Sequence, residues 1–313
     1  MQRTIAQKER RKSSVDYVPT ASPSAARTRR ASCLVSDALL GRGQQGSQAA
    51  EPAYDYTPKG SFGKTGKIKI YTVGAGASRK RYLIVVPDIF GLESLQFLQA
   101  CDQFAESGLT VIAFDPFLGL PWTTTRFPPR PEYGYERWLQ VMGSWGRVEP
   151  MLEDAVRRVQ QMAAEAGDRA AQTRIGCFGF GWGGMVALMA GRKTAGGQGG
   201  GGGSLFYGVG AANPDLAAAE AAGLDPSWYR AVKCPVVLLY AKGELPVMKL
   251  MEVNTELRTT FGAGGSLVQL TDTEANGVVA RGDWAQPETA AAAGRVIAGM
   301  VAWLKKHFDG EKI

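Results

Sequence analysis

Histidine is almost missing from this chain: 313 residues hold one, His307. The four cysteines, Cys33, Cys101, Cys177 and Cys234, form no CxxC pair and have no histidine at ligand spacing. This argues against zinc and gives no support to a disulfide framework. Reduced thiols in a reducing compartment are the expectation. No apolar run approaches the ~20 residues of a membrane span. No signal-peptide apolar core stands near the N-terminus. The glycine-rich run 196–203 lacks the Lys-Ser/Thr that a phosphate loop needs, so it reads as a flexible insertion.

What is present is ordinary in bulk. Apolar residues make up 45% of the chain and charged residues 21%, as in soluble globular proteins. The length allows one or two domains. The net charge of +7 is segregated: residues 1–50 hold nine Lys/Arg and three acids, and the remainder is nearly neutral.

Residues 1–60 show no hydrophobic periodicity, and Tyr17, Tyr54 and Tyr56 are their only aromatics. Such a segment cannot bury enough surface to fold alone. Three readings stay open: a solvated tail, a cleaved organelle transit peptide, and an arm that orders on an acidic partner. Serine follows a basic cluster at Arg10-Arg11-Lys12-Ser13 and at Arg29-Arg30-Ala31-Ser32. Phosphate there would cancel charge.

From residue 61 to 313 the pattern is that of one domain. Residues 67–73 alternate like an edge strand. Tyr82-Leu-Ile-Val-Val-Pro87 is a continuous apolar run, as in a central parallel strand. A helix is expected over 95–106, a buried strand over 110–114, and an amphipathic helix over 151–165. Residues 116–148, rich in Pro, Trp, Gly and Arg, read as a cap or excursion over the sheet. Strands follow at 204–209, 234–240 and 267–270, and helices at about 248–259 and 287–308. Alternating β and α argues one doubly wound, mostly parallel sheet.

The chain is organised around Arg174-Ile-Gly-Cys-Phe-Gly-Phe-Gly-Trp-Gly-Gly-Met185. An apolar strand, a glycine corner and a helix resemble the nucleophile elbow of α/β-hydrolases, where a reactive side chain sits on a strained turn. Gly179 and Gly183 are the flanking small residues. The residue between them is Gly181, which has no side chain with which to attack a carbonyl.

Residues 60–310 resemble the dienelactone hydrolase family through four motifs in order. These are Pro87-Asp-Ile-Phe-Gly-Leu92, Gly179-Phe-Gly-Trp-Gly-Gly184, Tyr240-Ala-Lys-Gly-Glu244 and Asn276-Gly-Val-Val-Ala-Arg-Gly-Asp283. The resemblance implies a cysteine at the elbow, an aspartate after the later strand and a histidine before the last helix. Those positions here are Gly181, Glu244 and Asn276. Glutamate can still orient an imidazole. Asn276 has no proton that titrates near neutral pH and cannot act as general base. Losing the nucleophile alone costs about a million-fold in a well-studied triad protease. The catalytic machinery is therefore expected to be degenerate.

Neither Cys177, expected in sheet packing, nor His307, expected on a solvent-facing helix side, rebuilds a triad. The resemblance leaves non-covalent parts in place. Backbone N–H groups of Ile89 and Trp182 stand at the oxyanion-hole positions. Asp88, Tyr207 and Arg281 would line a vestigial pocket able to take a small anion, or Arg281 and Asp283 merely brace their loop. No cofactor and no metal are implied.

The expectation is a non-catalytic hydrolase homologue that acts as a structural or interaction component docked through its basic arm. Residual ester or lactone hydrolysis and small-anion sensing are the alternatives. The expected partner is a protein with an acidic surface, a tubulin-type filament of a cytoskeletal or ciliary assembly being one such. Nucleic acid is disfavoured because the arm has almost no stacking aromatics and the body is neutral. The expected location is intracellular, cytoplasmic or cytoskeletal, or an organelle after cleavage of a transit peptide.

Overall fold

The computed structural model describes residues 55–74, 80–126, 131–193, 204–214, 227–241, 247–262, 264–271 and 277–309. The chain divides into Met1–Gln48, which lies outside the described residues, and Ala49–Ile313. Eight strands form one sheet in the order β1-β2-β4-β3-β5-β6-β7-β8. They are β1 (Ser61–Thr65), β2 (Ile68–Val73), β3 (Arg81–Val86), β4 (Thr110–Phe114), β5 (Arg174–Phe180), β6 (Gly208–Ala212), β7 (Val236–Ala241) and β8 (Ser266–Thr271). β1 and β2 are antiparallel to their neighbours, and from β4 through β8 every pairing is parallel.

The helices are α1 (Leu95–Glu106), α2 (Tyr135–Met142), α3 (Trp145–Glu165), α4 (Trp182–Ala190), α5 (Val247–Phe261) and α6 (Pro287–Asp309). They cover both faces. Tyr82, Ile84 and Val86 of β3 join the cluster holding buried residues of α3, α4 and α5. Leu83 and Val85, pointing the other way, join the cluster with α1 and α6. That alternation within one continuously buried strand is why β3 reads as unbroken apolar sequence. α1 begins where Ser94 caps it, its side chain accepting from Phe97 N at 3.2 Å.

Four boundaries depart from the sequence reading. β2 is not an edge, because β1 pairs outside it, with Phe62 opposite Tyr71. β1 carries no apolar alternation, and Gly63 sits at its centre, so sequence gave it no signature. α3 starts six residues earlier than expected, behind Ser144, and continues through Pro150. β6 starts at Gly208 because Ser204 Oγ accepts from Phe206 N at 3.1 Å and bends the chain first. Residues 55–60, assigned above to the arm, pack on the body: Asp102 accepts from the Tyr56 hydroxyl at 2.6 Å and from Lys59 N at 2.8 Å.

Among the described residues no helix is long and apolar enough to cross a membrane.

Candidate active site

At the end of β5 the backbone turns through Gly181, at φ +53° and ψ −120°, and enters α4 at Trp182. Gly181 N donates to Ala212 O at 2.9 Å, and Gly184 N donates to Gly181 O at 3.0 Å. The turn is therefore held on both sides. Its flanks must be small for steric reasons. A Cβ on Gly183 would stand 2.2 Å from Pro87 O, and one on Gly179 would meet Gly183 backbone. The ends of β3 and β5 and the start of α4 are thus in backbone contact. This is a sharp strand-to-helix turn whose apex, Gly181, carries only hydrogen.

Backbone contact with Pro87 brings the following residues, Asp88 and Ile89, to the elbow. Asp88 is buried, and its Oδ1 accepts from Phe90 N at 3.0 Å. Arg281 closes a π-helical turn, Gly277–Arg281, and its Nε lies 3.8 Å from Asp88 Oδ2. These two expected pocket residues are brought together, each offsetting the other's charge. Trp182 N is at the first position of α4, where N–H groups lack intrahelical acceptors. Ile89 O accepts from Trp122 N at 2.8 Å, which ties this loop to the 116–148 excursion.

The excursion contributes an aromatic roof. The Trp182 ring lies 4.8 Å from Phe117, which lies 5.0 Å from Trp138. Trp122 packs on Tyr135 at 5.1 Å and on Trp138 at 5.4 Å. Arg147 Nη1 donates to Pro116 O and Met142 O, pinning the two ends of the excursion to α3. The sequence shows a cap here without singling out Trp122 or Trp138. Their crowding with Tyr135 in an otherwise irregular stretch was the available signal.

Tyr207 does not belong to this site. Its N donates to Ile175 O at 2.8 Å, at the opposite end of β5 from Gly181. Six residues of strand separate the two positions, about 20 Å. Its ring packs on Phe308 at 6.1 Å and under Arg174 at 5.7 Å. Position in sequence before a strand cannot say which end of the sheet a residue occupies when the strand's start is misjudged by four residues.

His307 is likewise corrected. It is half-buried, not solvent-facing, with its ring 4.4 Å from Trp303 and its buried Nε2 lacking a hydrogen-bond partner among the described residues. Burial disfavours the imidazolium and pulls its pKa below the ordinary value. It adjoins Phe308, which touches Tyr207, so it lies at the end of the sheet away from the elbow. Cys177 is fully buried in the sheet, and burial pushes its thiol well up. Cys234 is pushed up to about 12 for the same reason. Neither thiol is activated. Glu244 and Asn276 lie outside the described residues. Among the described residues no cluster of three or more His, Cys, Asp or Glu could hold a metal ion.

A Gibberella moniliformis protein named dienlactone hydrolase 2 is 32% identical over 108 residues, which are 34% of this chain and 43% of that protein. The chain thus matches less than half the length of this relative. A Klebsiella pneumoniae structure assigned as a dienelactone hydrolase superposes with a TM-score of 0.54 at 15% identity, covering 76% of this chain and 93% of that one. Esterase 2 of Thermogutta terrifontis superposes with a TM-score of 0.50 at 16% identity, covering 80% and 98%. At these identities the superpositions speak to fold alone. The model of the dienelactone hydrolase family matches residues 68–308, from β2 to the end of α6. The chain belongs to the dienelactone hydrolase family.

Proposed function

We propose that this family member no longer carries out covalent hydrolysis and serves as an interaction protein built on a hydrolase body. One observation carries the reading: the residue at the elbow apex is Gly181. Covalent acyl transfer needs a nucleophile there, activated by a neighbouring base. The family's base position is Asn276, and the chain's one histidine sits at the far end of the sheet. Glycine at 181 also relieves the backbone strain that a side chain would impose, as expected of a position kept for shape rather than chemistry.

Docking is assigned to the cationic first 50 residues and to an acidic protein surface; a tubulin-type filament has the required charge. The test is removal of residues 1–50 followed by a binding measurement across ionic strength. Electrostatic docking must weaken as salt rises. Binding that survives both the deletion and high salt would remove the arm from the account.

A second reading is favoured by the names of the relatives: hydrolysis of small esters or lactones. Purified chain assayed with activated aryl esters separates the two. Binding of a small anion through Arg281 has less support, because Asp88 already faces that guanidinium.

A further inference from the structure

We propose that the β1–β2 hairpin is a docking edge for an extended acidic segment of a partner protein, which joins the sheet as a further strand. The proposal rests on the interaction-protein reading and supplies the partner's chemistry. β1 ends the sheet, and among the described residues no strand lies outside it. Its outward backbone groups are therefore a template for a further strand.

Charge selects the occupant. The register sets Lys64 directly opposite Lys69, and Lys67 follows in the turn. Like charges facing each other across a strand pair are destabilising. Lys64 and Lys67 have no ion-pair partner among the described residues, and Lys69 reaches Glu93 only at 3.9 Å. Lys69 Nζ lies over the Phe62 ring, 4.5 Å from its centroid, and Phe62 is itself half-exposed. A single edge lysine is enough to keep sheets from pairing with themselves. A facing pair with a third lysine beside it concentrates positive charge beyond that need, and an anionic strand is the occupant that would offset it. A second copy fits badly, since two such edges would bring six lysines together.

Shape selects the pattern of side chains. A groove of ≈ 780 Å³ runs between β1 and α3, lined by Gly63, Ile70, Tyr82 and Met162 together with Arg158 and Glu165, which pair with each other at 3.5 Å. Phe62 and Lys64 also border the groove, but their side chains alternate to the other face of the strand. A Cβ on Gly63 would meet only Ile70, at 3.8 Å, so the groove has room beside it. A strand laid along β1 would set every second side chain over the groove and the alternate ones beside Lys64. The segment that fits alternates apolar and acidic residues.

The probe is a fluorescein-labelled peptide of four Glu-Val repeats, titrated into the full chain and followed by anisotropy. We expect saturable binding that weakens with salt. Methylating alternate backbone nitrogens, which blocks strand pairing but keeps charge, should weaken binding at least tenfold. Lys64→Glu with Lys69→Glu should do the same, and circular dichroism reports whether that variant folds. Lys64→Ala provides a milder version should it not. The proposal is overturned if the N-methylated peptide binds equally, because the basic arm then captures acid without strand pairing. It is also overturned if the peptide does not bind, including where phosphatidylserine vesicles or duplex DNA bind and lose affinity in the double variant. Ester turnover on the same preparation reports on the elbow alone. A chain that binds peptide and hydrolyses ester would contradict the non-catalytic reading and leave the docking edge standing.

Discussion

A Cβ on Gly179 would stand 2.0 Å from the carbonyl oxygen of Gly183. The two residues flank the elbow apex, and their closeness is what lets α4 leave β5 so abruptly. No rotamer relieves a Cβ against backbone. Gly179→Ala should therefore cost at least about 2–3 kcal/mol, at or beyond the usual range for overpacking. Gly299, on the exposed side of α6 with nothing within 4 Å of its Cβ position, is the control. Gly299→Ala should stabilise by up to ~1 kcal/mol, as for glycine in a helix interior. Urea unfolding midpoints measure both. Similar shifts for the two variants would mean the elbow is looser than described.

Gly181 makes a different prediction, because its constraint is conformational. At φ +53° and ψ −120° a residue with a side chain is strained, at a cost of about 1–3 kcal/mol. Gly181→Ser should be destabilised by that amount while keeping its circular dichroism spectrum. An unchanged or raised midpoint would show that the turn is not strained.

Asp102 ties the segment entering the sheet to α1. It accepts from the Tyr71 hydroxyl at 2.5 Å and from the Tyr56 hydroxyl at 2.6 Å. Burial first, and then the hydrogen bond to Asp102, raises both phenols above their ordinary value. Their folded pKa values exceed the unfolded ones, so the stability they contribute is whole below about pH 10 and is lost as pH rises beyond it. Tyr71→Phe should be less stable at about pH 8 yet lose less stability between about pH 9.5 and about 11.5. Parallel pH profiles for variant and parent would count against this linkage.

His307 acts at the other end of the scale. Its folded pKa is depressed chiefly by burial; a backbone hydrogen bond with Gly264 opposes the shift, and Lys306 adds to it. The stability it contributes is present above the unfolded value of about 6.5 and is lost as pH falls. Because the chain has no other histidine, the measurement is clean. His307→Phe, which keeps an aromatic ring against Trp303, should flatten the loss of stability between about pH 6.5 and about pH 5. A slope equal to the parent's would place the imidazole in water.

Much of the fold was legible because burial writes itself into sequence. β4 and α1 stand where their apolar patterns put them, residues 110–114 and 95–106. β1 was not legible, since Ser61-Phe-Gly-Lys-Thr65 is exposed along most of its length and is held by backbone pairing with β2. The apex at Gly181 could be read because steric demands fix the glycines around it. Asp88 and Arg281, placed by motif, do meet. Tyr207 failed because a side-chain turn at Ser204 delays the strand, and His307 because a neighbouring tryptophan covers it. Contacts of that kind depend on residues distant in sequence and leave no periodic trace.

The most direct test of the central claim is steady-state hydrolysis of an activated aryl ester by the purified full chain, set against Gly181→Cys combined with Asn276→His. The parent should match the rate of its own denatured protein at every substrate concentration, while the double variant gains saturable turnover. Saturable turnover by the parent, abolished on denaturation, would contradict the account.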